Sequence, residues 1–213
     1  IEAAFNLIEH WRADARDPGF WLLHGSDGTL QMFGRSPSSR TCDPDDPRRV
    51  AEWLPDESLN PHGEHILFEY KAEDLAGLEP DDPREFRARR YLSRVRYGNV
   101  EAHSCLYSWH PESIAAQQWH FDLLLDYGER STAADERPGY AEQQPWPLRS
   151  DPQSGFSCGF ALGCLRLCRQ ILMFHSFPEL GEEPVLVQRL LLDYQASALS
   201  YNLLVAAHTQ GFS

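Results

Sequence analysis

Histidine is the first residue type in this sequence to examine for chemistry, because a neutral imidazole serves both as a general base and as a metal ligand. The chain has nine histidines. They are scattered one per predicted strand or turn, and they form neither a His-x-His pair nor the helical His-Glu-x-x-His of zinc proteases. We therefore expect no metal site and no cofactor. The nine include His24, His62, His65, His103, His110, His120, His175 and His208.

The cysteines give no better candidate. Cys105 and His103 are two residues apart and would share one face of a strand, but no third group is apparent that could orient the histidine as a base. Cys158, Cys164 and Cys168 have x5 and x3 spacings, which match no common zinc ligand pair. Five cysteines also leave at least one unpaired within the chain. We expect buried free thiols that pack as small apolar groups.

Glycine-rich loops that cradle phosphate are missing from the sequence. It contains no P-loop and no Gly-x-Gly-x-x-Gly. Carboxylates are plentiful, but most lie in Pro/Asp turns or alternate with Arg and Leu on predicted strands. Nothing selects one pair, so a hydrolase with a cryptic carboxylate pair remains a minor alternative. We expect no catalytic residue and interpret the chain as not an enzyme.

Composition excludes two further classes of function. The net charge of −13 over 213 residues argues against nucleic-acid binding, which needs surplus Lys and Arg. One arginine-rich run is interpreted as a solvated strand face paired with carboxylates; it comprises Arg84, Arg87, Arg89, Arg90, Arg94 and Arg96. No apolar stretch approaches the roughly 20 residues that span a bilayer. The sequence begins at Ile1 without a signal-peptide pattern, and we expect a single β-rich segment over residues 1–213 of a longer protein.

The elements that would carry these residues are strands with a repeated ending, in which alternating apolar residues lead to a tyrosine. A tyrosine at a strand end can bury its ring while its hydroxyl stays in water, which suits the rim of a sheet. The repetition indicates an extended antiparallel sheet, not a pocket around one catalytic group. The four tyrosines are Tyr70, Tyr97, Tyr127 and Tyr194.

Turn chemistry divides the rest of the chain into hairpins. Asp27-Gly28 joins Phe20–His24 to Thr29–Phe33, and Pro61 and Gly63 set the turn of a second hairpin. That hairpin joins Val50–Glu57 to His65–Lys71, while residues 1–11 are interpreted as a short helix or an edge strand. Cys164–Phe177 favours a long, bent strand over a helix. The further predicted strands are Tyr91–Tyr97, Ser104–Trp109, His120–Tyr127, Phe160–Phe174, Val185–Tyr194 and Leu199–Ala207.

The longest stretch without periodicity runs from Ser131 to Gln153 and contains four prolines. So long a loop in a compact domain is usually functional or braced by partners. Trp146, between two of these prolines, is the candidate contact to a partner surface. The predicted fold is all-β: a series of antiparallel hairpins that form a large curved sheet with long Pro-rich loops.

Segments along almost the whole chain after about residue 11 carry an ordered succession of family motifs. They are Phe20-Trp21 before Asp27-Gly28, residues 33–40, Asp43-Pro44, residues 52–55, His62-Gly63, residues 68–74, residues 90–92, residues 96–99, residues 121–128, residues 146–152, Gly159-Phe160, residues 166–169 running into 173–175, Leu180-Gly181, residues 184–187, and Leu191 with Asp193-Tyr194. In this series the chain resembles the SpvB-type N-terminal region of the insecticidal toxin complex B component (TcB), a relative of the Rhs/YD-repeat shell proteins.

The resemblance implies a function for the sheet. In the family, strands of this kind form part of a hollow β-shell, or cocoon, that holds the toxic portion of a C-component partner and docks through a β-propeller onto an A-component channel. The region also occurs fused to an actin-modifying ADP-ribosyltransferase. That enzyme class needs Glu-x-Glu or Gln-x-Glu, and neither occurs here, so no catalytic role is carried over. The expectation is a non-catalytic shell segment of a secreted toxin or virulence protein.

One alternative of a different class is a stand-alone module that binds protein or carbohydrate. It would use exposed tryptophans, which are large amphipathic contact groups. The three candidates for this role are Trp109, Trp119 and Trp146.

Overall fold

The computed structural model describes residues 5–82, 84–103 and 117–213. These ranges form fourteen β-strands and two single-turn 3₁₀ helices, Pro37–Ser39 and Pro178–Leu180. The strands are β1 (Leu7–Trp11), β2 (Phe20–His24), β3 (Leu30–Phe33), β4 (Arg40–Cys42), β5 (Val50–Trp53), β6 (Pro55–Leu59), β7 (His65–Ala72), β8 (Arg90–Asn99), β9 (Trp119–Asp126), β10 (Phe156–Ser157), β11 (Phe160–Ala161), β12 (Gln170–His175), β13 (Val185–Ala196) and β14 (Asn202–Gly211).

One ten-stranded antiparallel sheet dominates the described residues, in the order β1-β2-β3-β6-β7-β8-β9-β12-β13-β14. Neighbours in the sheet follow one another in sequence, apart from two excursions that form the small pairs β4–β5 and β10–β11. Register shifts interrupt four of the main ladders: β3–β6, β7–β8, β12–β13 and β13–β14. Such bulges bend strands and increase their twist. The all-β, hairpin-by-hairpin prediction is confirmed.

The first predicted hairpin forms as expected. In the turn between β2 and β3, the amide of Gly25 donates to the Thr29 carbonyl at 2.8 Å, and the Asp27 carboxylate accepts from the Thr29 amide at 2.9 Å. Gly28 adopts a positive φ of 84°, a conformation that glycine reaches without strain. At the sheet edge, residues 7–11 form a strand, which is the second of the two predicted alternatives for this segment.

The second predicted hairpin is wrong at its first strand, because Val50–Glu57 is not one element. The chain divides at Leu54: β5 pairs with β4 in a separate sheet, while β6 pairs with β3 and β7. The Leu54 amide and carbonyl bond instead to Ser39 and Gly34 of the preceding loop. Pro55, which cannot donate to a ladder, begins the new strand.

The predicted strand Phe160–Phe174 is also wrong, as is the long bent strand over Cys164–Phe177. The structure has only β11 at 160–161 and β12 at 170–175. Between them, Cys164 pairs with Gln153, and the Leu165 carbonyl accepts from the Arg149 amide, so this stretch braces a loop. The prediction was wrong because arginine alternates with apolar residues between positions 162 and 169, and this spacing is also typical of a strand. The predicted strand Ser104–Trp109 lies outside the described residues.

The central strands divide the main sheet into two different faces. One face, which we call the loop face, buries alternate side chains and includes two carboxylates; its members on β9 and β12 are Asp122, Leu124, Asp126, Gln170, Leu172 and Phe174. The other, the open face, consists mostly of half-buried apolar side chains; on the same strands these are Phe121, Leu123, Leu125, Ile171, Met173 and His175. The ladder β9–β12 aligns each set across the two strands.

Candidate functional site

The segment from residue 128 to 152, which we call the covering loop, lies on the loop face. Tyr140 packs its ring against Phe174, with centroids 5.1 Å apart, and donates its hydroxyl to the Asp122 carboxylate at 3.2 Å. The Ser131 carbonyl accepts from the Gln170 amide group at 3.0 Å. The Ala133 carbonyl accepts two bonds from the buried Arg189 at 3.2 Å. The predicted long loop is therefore braced by its own sheet.

Buried charges on the loop face are matched by groups of the covering loop. The Asp126 carboxylate accepts from the Gly128 amide at 2.7 Å and from the Arg130 guanidinium at 3.1 Å. Burial nevertheless raises the pKa of Asp126, and burial likewise raises the pKa of Asp122. A carboxylate removed from water needs such partners, since an unpaired buried charge costs several kcal/mol. The face is therefore specified by its polar partners as well as by apolar packing.

Trp146 fastens the covering loop to the sheet and is only 2% exposed. Its indole nitrogen donates to the Asp74 carboxylate at 2.7 Å. The Lys71 ammonium and the Arg166 guanidinium lie over its ring, 4.3 and 4.5 Å from the centroid. Tyr91 packs edge-on at 5.2 Å. The predicted contact of Trp146 with a partner is wrong, because the indole is enclosed by its own chain.

Arg166 is the deepest ionic group in this arrangement, and its side chain and that of Glu73 are both fully buried. The guanidinium donates to both carboxylate oxygens of Glu73, with its Nε at 3.1 and 3.0 Å, and also to the Trp146 carbonyl at 2.8 Å. This geometry satisfies several donors at once, which a buried ion pair requires. We call Lys71, Glu73, Asp74, Trp146 and Arg166 the tryptophan clamp.

Sequence reasoning missed the clamp apart from Trp146. A signal was present: Glu73 and Asp74 directly follow the end of β7, and Lys71 is the only lysine of the chain. What the sequence did not show is that Arg166, more than ninety residues later, would meet them. The sequence predicts a strand over Phe160–Phe174, and a strand pattern at Arg166 does not indicate a buried ion pair with Glu73.

The four tyrosines do lie near strand ends, but their hydroxyls are not simply in water. Tyr127 is buried and donates to the Leu92 carbonyl at 3.0 Å, while Tyr70 donates to the Pro55 carbonyl at 2.9 Å. Tyr97 points its hydroxyl at the Met173 sulfur at 3.4 Å. The prediction of a wet hydroxyl is wrong for Tyr127, which is buried, whereas Tyr70 and Tyr97 are half-buried. Their role is to tie a strand end to a neighbouring strand or loop.

Tyr194 differs from the other three. Its ring lies under the Arg169 guanidinium, 5.8 Å from the centroid, as one of the cation–π contacts of the fold. Burial is the main cause that raises the pKa of the Tyr194 hydroxyl, and the charge of Arg169 acts against that rise.

A model for one family, described as Salmonella virulence plasmid 65kDa B protein (SpvB), matches residues 1–177. This match includes more than half of the 213 residues. The chain belongs to the SpvB family.

Curated relatives and solved structures agree with this assignment. The chain is 43% identical to the mono(ADP-ribosyl)transferase SpvB of Salmonella typhimurium, with 96% of the chain aligned, and it spans 35% of that protein's length. It is also similar to the N-terminal domain of the effector protein SpvB from Salmonella typhimurium strain LT2. That structure is 42% identical, has a TM-score of 0.88, and is matched over 100% of this chain and 67% of the other.

Tc toxin structures match the SpvB-family chain as well. The TcdB2-TccC3 structure has a TM-score of 0.86 at 34% identity, over 98% of this chain and 10% of that one. The Photorhabdus luminescens Tc holotoxin pore gives a TM-score of 0.87 at 34% identity, with the same coverage. The resemblance to SpvB and to the Tc toxin B component is therefore confirmed at the level of both sequence and fold.

The arginine-rich run is engaged mainly with carboxylates, as predicted. Arg94 and Arg96 both contact Glu69, and Arg94 also lies over the Tyr140 ring at 5.3 Å, so part of this run is covered and not fully solvated. Arg90 departs from the pattern and donates to three backbone carbonyls. The remaining pairs are Arg84 with Asp82, Arg87 with Glu85, and Arg89 with Glu52.

The cysteines of the described residues are free thiols. Cys164 and Cys168 are half-buried free thiols packed beside the clamp, whereas Cys158 is exposed, against expectation. Cys105 lies outside the described residues. Within the ranges that the structure describes, no group of three or more His, Cys, Asp or Glu side chains is arranged to hold a metal ion.

The tryptophans proposed to bind a ligand are not exposed where the structure describes them. Trp119 is buried, as is Trp146, and Trp109 lies outside the described ranges. Two of the three residues of the alternative binding module are therefore not available at the surface. Among the described residues, no helix is long and apolar enough to cross a membrane.

Proposed function

We propose that this chain is a non-catalytic wall segment of a bacterial toxin-complex B-type or SpvB-like virulence protein. The observation that carries the proposal is the ten-stranded antiparallel sheet. The loop face of this sheet is covered by the chain's own covering loop. A wall has to keep its shape while it meets a cargo or solvent, and the clamp and the buried ion pairs provide that rigidity without a partner.

The outer strands are suited to continue the wall. β1 and β14 each pair with one neighbour in the described sheet and carry exposed apolar side chains. An edge of this kind is a template for pairing with further strands. The exposed groups are Leu7, Ile8 and Trp11 on one edge and Leu203, Leu204 and Val205 on the other.

The non-catalytic part of the proposal is supported by how the buried carboxylates are used. Glu73 is engaged by Arg166, Asp126 by Arg130 and a backbone amide, and Asp122 by the Tyr140 hydroxyl. Asp122 and Asp126 accept from groups of the covering loop, and Glu73 holds the arginine that donates to the Trp146 carbonyl. All three carboxylates are buried and engaged within the chain, which does not suit an acid or base that has to reach a substrate.

Partners and location follow from the relatives as part of the same proposal. TcdB2 and TccC3 occur together in the solved toxin structures, and relatives carry the name mono(ADP-ribosyl)transferase. We propose that the parent protein either encloses a C-component toxin and docks on an A-component channel, or carries a fused ADP-ribosyltransferase. In both cases it acts outside the producing cell.

Protease protection tests the wall. The parent protein is prepared with its cargo, as wild type and as Trp146→Ala, and is treated with a broad protease. We expect intact cargo in the wild type and cleaved cargo in the variant. An exposed-site control, Arg48→Gln, should behave like the wild type because the Arg48 side chain is 63% exposed. Equal protection in all three proteins would contradict a wall role for this segment.

An activity assay tests the non-catalytic part separately. The purified 213-residue chain is incubated with NAD and actin, and with a panel of glycosides. We expect no turnover. Turnover that is lost when Asp126 or Glu73 is substituted would overturn this part of the proposal.

A further inference from the structure

A cavity of about 650 Å³ lies between the covering loop and the start of β12. No carboxylate is present among the described side chains that line it. Its polar and charged lining consists of Arg130, Ser131, Thr132, Gln143, Gln144 and Arg169. In a chain with a net charge of −13, a cavity with two arginines and no acid is unusual.

Arg169 is the lining residue that is available for a ligand. Its backbone is fixed, because its amide donates to the Asp126 carbonyl at 2.8 Å and its carbonyl accepts from the Leu192 amide at 2.9 Å. Its guanidinium lies near the Tyr194 ring, and no described carboxylate or carbonyl accepts a hydrogen bond from it. Arg130 differs, since it is bonded to Asp126 and to the Gly139 and Tyr140 carbonyls.

The surrounding charges increase the positive potential of the cavity. Arg189, which is fully buried, donates to the carbonyls of Ala133 and Ala134 at the rim and to the Gln210 side chain, and has no described carboxylate partner. The nearby carboxylate of Asp126 is already paired with Arg130, while Glu129 and Glu142 share Lys71. With Arg169 and Arg189 included, four basic groups face three carboxylates, which leaves a net positive charge beside this cavity.

We propose that this cavity binds the phosphoryl group of a small phosphorylated molecule. A guanidinium with one free planar edge binds phosphate oxygens in pairs, and the Ser131 and Thr132 hydroxyls and the Gln143 amide can complete the contacts. Small-molecule sites usually enclose roughly 300–1,000 Å³, and this cavity is within that range. A nucleic acid is disfavoured as the source of phosphate, because a polyanion would be repelled by the rest of the chain.

Titration calorimetry at constant ionic strength tests the site, with pyrophosphate, inorganic phosphate and citrate as probes. The proteins are wild type, Arg169→Gln and, as a matched control, Arg48→Gln. We expect saturable pyrophosphate binding by wild type and Arg48→Gln, and binding at least about tenfold weaker for Arg169→Gln, since the charged bidentate contact is lost. Thr132→Val, at an exposed position, should weaken binding less and guards against a folding defect in Arg169→Gln.

The possible outcomes separate clearly. Equal affinity of wild type and a folded Arg169→Gln would overturn the proposal, as would the absence of saturable pyrophosphate binding by the wild type. Binding of citrate in preference to both phosphate probes would overturn the assignment to a phosphoryl group. If Arg169→Gln does not fold, unchanged binding by Thr132→Val would count against the site, and weakened binding would support it.

Discussion

The two faces of the central sheet differ in a way that apolar patterning does not predict, because charged side chains are buried on one face and apolar side chains are partly exposed on the other. The loop face buries Asp122, Asp126 and Arg189, whereas the open face leaves Phe121 and Met173 half-exposed. On the open face the rings contact one another, as in the stack of Tyr97 on Phe121 at 4.9 Å. The comparison shows that burial here is decided by which face receives the covering loop. The chemical type of the side chain does not decide it alone.

A polar face can be the inner one because the loop supplies its partners. Tyr140 offers a hydroxyl, Arg130 a guanidinium, and residues 131 and 133 offer carbonyls. Leu124, Leu172, Phe174 and Leu186 provide the apolar packing between these groups. Removing one partner of a charged pair should therefore cost more than removing an apolar group from the open face.

The largest effect is expected from the buried pair of the tryptophan clamp. Arg166→Met leaves the Glu73 carboxylate buried without its partner, which should lower the free energy of unfolding by about 3–5 kcal/mol. Urea denaturation measures this loss. The double variant Arg166→Met, Glu73→Leu is the control, and it should recover much of the stability because no unpaired charge remains. A single variant as stable as the wild type would show that the pair is not buried.

A comparison of adjacent leucines tests the two faces directly. Leu124 is 3% exposed on the loop face, and Leu123 is half-buried on the open face. Leu124→Ala should cost about 2–5 kcal/mol through lost burial and a residual cavity. Leu123→Ala should cost about 1 kcal/mol, because less area is buried and no closed cavity forms. Chemical denaturation of the two variants checks the order, and equal costs would contradict it.

Alkaline titration probes the tyrosines that the loop and strands enclose. Burial is the main cause that raises the pKa of Tyr70, Tyr91 and Tyr127 well above the usual value. A pKa raised in the folded state gives stability that is present below the unfolded value of about 10 and is lost as the pH rises further. We expect these three phenols to ionise only together with unfolding, seen as absorbance at 295 nm. Smooth ionisation in a folded protein would contradict their burial.

The smallest effect is expected from a single hydroxyl. Tyr127→Phe removes the hydrogen bond to the Leu92 carbonyl and should lower the free energy of unfolding by about 1 kcal/mol. Tyr201→Phe is the matched control, because Tyr201 is exposed. Thermal melts of both variants give the comparison, and an equal shift in both would show that the bond contributes nothing.

The parts of the fold that depend on local chemistry could be predicted from the sequence. The dipeptide Asp27-Gly28 is enough to predict the turn between β2 and β3. The alternation of side chains in β9 and β13 is enough to predict a strand, whichever face each strand buries. The position of Trp146 could not be predicted, since its pocket is assembled from β7, the covering loop and residue 166. Arg166 was misplaced for a related reason: alternation with leucines looks the same on a strand and in a braced loop. The face that is buried depends on contacts between segments far apart in sequence.

Hydroxyl-radical footprinting with side-chain resolution tests the central claim most directly, because it reports which face of one strand meets water. We predict oxidation of Met173 and Leu123 on the open face, with Phe174, Leu124 and Trp146 protected in the folded protein. The clamp variant Arg166→Met should expose Trp146 first. Protection of Met173 and Leu123 together with oxidation of Phe174, Leu124 and Trp146 would contradict the account, because the covering loop would then not seal the charged face.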